Sequence, residues 1–119
     1  MDELIARLVA NVGVDRDAAQ KAVVIIIEFL LSEGPTDKVR ELMARIPGAE
    51  ELVKAQGDDG GGFSMGGLMG AGTKMMAAGL SMDQIQGVTR DFIAYTREIA
   101  GDEAVGEVVG AIPGLEQFI

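Results

Sequence analysis

The chain has no cysteine, no histidine and no tryptophan. Without cysteine there is no disulfide and no thiolate chemistry, an absence that points to no particular compartment. Without histidine, the usual general base near neutral pH and the commonest metal ligand are both missing. Basic residues are outnumbered, 10 Lys and Arg against 19 Asp and Glu, for a formal net charge of −9. Phosphate backbones are held mainly by clustered Lys and Arg, so no nucleic-acid partner is expected. The acidic balance favours solubility and, among partners, basic surfaces. Aromatics are few, four Phe and one Tyr, so the core must be aliphatic and methionine-filled. No apolar run approaches the roughly 20 residues that cross a bilayer, and no membrane span is expected. The opening Met1-Asp2-Glu3-Leu4 is acidic and followed by Arg7. That is not the pattern of a signal peptide, and a cytoplasmic location is expected.

The longest apolar run, Ala22 to Leu31, is interrupted only by Glu28. Its β-branched residues suit a strand by propensity alone. It continues out of Asp17-Ala18-Ala19-Gln20-Lys21, a helix opening, and no second strand candidate exists to pair with it. It therefore reads as the middle of a helix from near Asp15 to Gly34-Pro35. On a helical wheel only Asp17, Lys21, Glu28 and Ser32 form a polar line. Such a helix is buried on most sides, either in the chain's own core or partly against another subunit.

Around it the sequence predicts further helices. Asp2 caps the first, with Leu4, Ile5, Leu8, Val9 and Val12 on one face and Gly13 as its stop. Thr36 caps a third with the stripe Val39, Leu42, Met43 and Ile46, and Pro47 to Ala55 forms a short fourth. Gly57–Gly67 holds six glycines in eleven residues and reads as a mobile linker. A helix then runs from Leu68 to Ala78 and ends at Gly79. Ser81 caps a long one carrying Ile85, Val88, Phe92, Tyr95 and Ile99. Gly101-Asp102 opens another, and Ile112-Pro113-Gly114 leads to a last turn.

The second half repeats the first. Sliding the chain by 66 residues lays Gly13–Val53 on Gly79–Ile119 without a gap. Ten of the 41 pairs are identical, among them Asp17/Asp83, Ile27/Ile93, Val39/Val105 and Ile46-Pro47-Gly48/Ile112-Pro113-Gly114. Ordinary residue usage gives roughly three. The expected fold is all-α, about eight helices in two pseudo-symmetric units sharing one core. It forms a single domain over 1–119, with unit one 1–56, the linker 57–67 and unit two 68–119. The copies differ in that Val24, Ile25 and Leu31 face Arg90, Asp91 and Arg97.

Motifs of chemistry are weak. Gly67-Leu68-Met69-Gly70-Ala71-Gly72-Thr73-Lys74 approaches a P-loop but reverses the Lys-Thr order and follows no strand. Close packing of a glycine-bearing helix is the simpler explanation. Asp58-Asp59 lacks the carboxylates that an EF-hand loop places at its later positions. The acid pairs Asp15/Asp17, Glu50/Glu51 and Asp102/Glu103 sit at helix starts, where the dipole favours them. Glu28 is the one acid among apolar neighbours. No catalytic residue, cofactor-binding residue or metal ligand can be named, and no cofactor is expected. The remaining feature is Phe63, Met65, Met69, Met75 and Met76 among glycines, soft side chains of the kind that build adaptable surfaces.

The pattern of helix, Gly-apolar-x-x-Asp, long helix and Ile-Pro-Gly resembles small bacterial helical families, nearest to the VcgC/VcgE type of unknown function. The resemblance covers most of the chain, through Gly13…Ile46-Pro47-Gly48 and Gly79…Ile112-Pro113-Gly114. It implies an all-α fold and a bacterial origin, and it brings no catalytic residues.

The expectation is a non-enzymatic structural or protein-interaction module, associating with itself or with a protein partner still to be identified. Its candidate interface residues are Val24, Ile25, Phe63, Met65, Met69 and Met76. The alternative is a binder of small apolar ligands, or an enzyme using carboxylates near the Gly/Met-rich segment.

Overall fold

A computed structural model describes residues 2–33, 36–46, 48, 51 and 67–112. These residues form six helices: α1 (Asp2–Val12), α2 (Arg16–Glu33), α3 (Thr36–Arg45), α4 (Gly67–Ala77), α5 (Met82–Ala100) and α6 (Asp102–Ala111). No strand occurs among the described residues. About eight helices were expected, and the two further ones, at Pro47–Ala55 and after Pro113, lie largely outside the described residues. So does most of the glycine-rich stretch 57–67.

Glycine and capping chemistry explain where the helices stop. Gly13 (φ 82°), Gly79 (φ 101°) and Gly101 (φ 94°) all take positive φ, which costs glycine nothing and other residues strain. At the end of α4 the Leu80 N–H donates to the Met75 carbonyl (3.2 Å) and the Gly79 N–H to that of Met76 (3.0 Å). This pair of bonds is a Schellman ending. Its hydrophobic contact partners, Met75 and Leu80, are both buried. Ser81 then opens α5 with a capping box: its hydroxyl accepts from the Gln84 N–H, and the Gln84 side chain accepts from the Ser81 N–H. Two orphan amides are satisfied there reciprocally.

Packing places α5 at the centre, where it lies against each of the other five helices. α2 lies against α1, α3, α4 and α5, and α3 also meets α6. The core draws on every described helix, from Leu4, Ile5 and Leu8 through Val23, Ile26 and Ile27 to Val88, Phe92, Val105 and Val108. On α2 the larger buried side chains are Val23, Val24, Ile26, Ile27, Phe29 and Leu30. At roughly 2 kcal/mol each, they contribute as much gross stabilisation as the net stability of an ordinary domain. The expected polar line holds where it is described: Asp17 and Lys21 are exposed and Glu28 is half-buried.

Two helical glycines do no packing. A Cβ built on Gly72 or Gly106 would meet nothing within 4 Å, so the close packing expected of the glycine-bearing α4 does not apply at Gly72. In a helix interior glycine is worse than alanine by about 0.5–1 kcal/mol. Gly106→Ala is therefore expected to stabilise the chain by that amount and raise its Tm by roughly 2–5 °C. An unchanged or lower melting temperature by circular dichroism would show that α6 needs the glycine.

Candidate interaction surface

The polar groups with defined partners run along helix seams. α1 lies antiparallel on α5, as three contacts show by their order. Arg7 makes a bidentate bond to the Glu98 carboxylate (3.0 and 2.9 Å), and the Asn11 amide donates to Asp91 (3.3 Å). Further along, a Cβ on Gly87 would come within 3.1 Å of a Val12 methyl. The Arg7 guanidinium also sits 5.4 Å from the centroid of the buried Tyr95 ring, a cation–π distance. Between α3 and α6, Lys38 pairs with Glu107. Arg45 of α3 donates to the Ala100 carbonyl at the end of α5 (3.2 Å).

These pairs shift the titrations they touch. The hydrogen bonds from Arg7 hold the Glu98 carboxyl below its ordinary 4.5, against a smaller opposing effect of desolvation. Glu98 in turn raises Arg7, Glu107 raises Lys38, and burial raises Tyr95. A carboxyl depressed in the folded state stabilises fully above its unfolded value, and that stabilisation is lost as pH falls through the folded one. Glu98→Gln is therefore expected to lower the urea midpoint near neutral pH, with the gap to the parent closing below about pH 4.5. A gap independent of pH would mean that the pair contributes packing and not charge.

Inside the core the only buried polar side chains among the described residues are Thr89 and Thr96. Each hydroxyl donates to a carbonyl one turn back on α5, Thr89 to Ile85 (2.9 Å) and Thr96 to Phe92 (2.7 Å). They are self-satisfied and offer a ligand nothing. Among the described residues no three acids gather as a metal site, and no helix is long and apolar enough to cross a membrane. Gly67–Lys74, the near-P-loop, lies within α4. A continuous helix there leaves no loop of amides to wrap a phosphate.

The candidate interface residues separate. Val24 is 4% exposed, covered by the chain itself, and Ile25 is half-buried against the core. Phe63 and Met65 lie outside the described residues, and Met69 is placed on α4 with its side chain outside them. Met76 is 51% exposed, one residue from the buried Met75. Among the described residues Met82 (54% exposed) and Val9 (38%) are the other exposed large apolar side chains. Met82 follows the cap residue Ser81, so Met76 and Met82 flank the turn between α4 and α5. Met82 was missed in the sequence because a methionine at the first position of a capped helix carries no periodic signal. The α1–α5 seam was missed too, although Arg7 and Asn11 are spaced i, i+4 and Asp91 and Glu98 i, i+7, each pair along one helix side.

Comparison with known protein families, characterised proteins and solved structures finds no match for this chain.

Proposed function

We propose that this chain is a non-enzymatic protein-interaction module, built by internal duplication, that pairs with a second copy of itself through the side of α4 bearing Met76. The carrying observation is Met76. A half-exposed thioether beside a fully packed one is a soft apolar group left at the surface, and methionine adapts to a partner's shape at little cost. Closure by a two-fold copy of the same surface is the commonest way to cover such a group.

The duplication reading draws support from residues 66 apart. Val14 and Leu80 are both buried, as are Ala19/Ile85, Ile26/Phe92, Phe29/Tyr95, Leu42/Val108 and Ile46/Ile112. Ile46 and Ile112 close their helices with the same bond, N–H to the carbonyl three residues back (3.1 and 3.2 Å). α1 lies on α5 while α4 lies on α2, the exchange expected if each unit's first helix is housed by the other unit's long one. On this reading the chain stands with the small bacterial helical families that its sequence resembles.

Two chains of net charge −9 repel, and salt screens that repulsion. The expected result in light scattering at micromolar concentration is twice the 12.5 kDa of one chain, with the dimer favoured by added salt. Met76→Asp is expected to return the single-chain mass with the helical spectrum intact. A parent of single-chain mass at every salt concentration would overturn the reading.

A further inference from the structure

We propose that Met76 and Met82 are sites of reversible oxidation by peroxide, and that Met43 and Met75 are protected from it. Cysteine, histidine and tryptophan, which otherwise compete for oxidants, are absent from the chain, so thioethers are its principal two-electron donors. Among the four methionines whose side chains are described, the fold divides two from two. Met43 is 8% exposed and Met75 3%, both within the core. Met76 and Met82 are half-exposed on either side of the α4–α5 turn.

In the reaction the thioether sulfur attacks one peroxide oxygen, the S–O bond forms and the O–O bond breaks. The proton on the attacked oxygen passes to the departing hydroxide, which leaves as water. Sulfur is oxidised by two electrons and peroxide is reduced by the same two. The product sulfoxide is polar and chiral, disruptive in a core and tolerable at a surface, and sulfoxide reductases reverse it where they can reach it. Both halves of that cycle need access, which Met76 and Met82 have and Met75 lacks. The adjacent pair Met75 and Met76 is an internal control, identical in chemistry and in sequence neighbourhood.

This inference does not rest on the association reading, although the two meet at Met76, where oxidation would replace an apolar group with a polar one. The test uses the full chain at a dilution where light scattering gives the single-chain mass, treated with hydrogen peroxide and sampled over time. Tandem mass spectrometry of its peptides resolves Met75 from Met76. The expected result is oxidation of Met76 and Met82 faster than of Met43 and Met75 by on the order of tenfold, since a buried group reacts only through opening of the fold. The helical spectrum is expected to be unchanged at the end of the fast phase, and a methionine sulfoxide reductase then returns both residues to thioethers. Equal rates at Met75 and Met76, or loss of the helical spectrum during the fast phase, would overturn the proposal.

Discussion

Val24→Asp is expected to destabilise the fold severely, while Arg90→Ala, at the position 66 residues later, leaves it nearly unchanged. Val24 is 4% exposed in the single chain. A short carboxylate cannot reach solvent from there as a long side chain can, so it must be buried without a partner or force α2 outward. Together with the lost apolar burial this costs about 4 kcal/mol or more, a large part of an ordinary domain's stability. Arg90 is exposed, and its loss is expected to change stability by about 0.5 kcal/mol or less. Circular dichroism and a urea titration of the two variants decide the matter. A well-folded Val24→Asp chain would mean that α2 turns this residue to the surface, as an interface there requires.

The second large effect is at Ile27, which has no exposed surface and lies at the middle of α2. Truncation to alanine removes buried methyl groups and leaves a cavity that its neighbours only partly fill. Such changes cost about 2–5 kcal/mol, and a value near 3 is expected from the shift in urea midpoint at constant slope. The same change at Ile93, the isoleucine 66 residues later on α5 and also almost fully buried, is expected to cost a similar amount. A loss below about 1 kcal/mol at Ile27 would show that the helices around it close the cavity freely.

These two residues mark what the sequence made legible. Ile27 belongs to a run whose apolar positions wrap the helix, and burial follows from that pattern whatever surrounds it. Several helix ends were equally readable, because Gly13 and Gly79 stop helices by backbone conformation and Ser81 is a local capping signal. Val24 was ambiguous. Its burial depends on what lies against α2, and the second half carries Arg90, Asp91, Arg97 and Glu98 along its own long helix. Read as a wet side, those residues imply that the second half has too little apolar surface to cover α2.

The packing resolves this through a tertiary pairing that no local pattern encodes. The methionine-bearing α4 lies along α2, while α1 lies on α5 and meets two of those charged residues with Arg7 and Asn11. Asp91 and Glu98 therefore carry partners at the edge of a seam, while Arg90, Arg97 and Glu98 remain exposed, so the wet side of α5 is real. α5, although less apolar than α2, packs against each of the other five described helices. Periodicity reports how much of a helix is covered and says nothing of which helix covers it.

The seam between α1 and α5 also sets an order of events during synthesis. Arg7 and Glu98 are 91 residues apart, so α1 is made long before the helix it lies on. At a ribosomal rate of about 5–20 residues per second, the first helix waits roughly 5–18 s for its partner. From the completion of α2 to that of α4 is 44 residues, roughly 2–9 s at that rate, during which the apolar sides of α2 have neither α4 nor α5 against them. The nascent chain thus carries a sticky, half-covered helix until α4 emerges, and in that window a chaperone that binds exposed apolar surface has its best access to it.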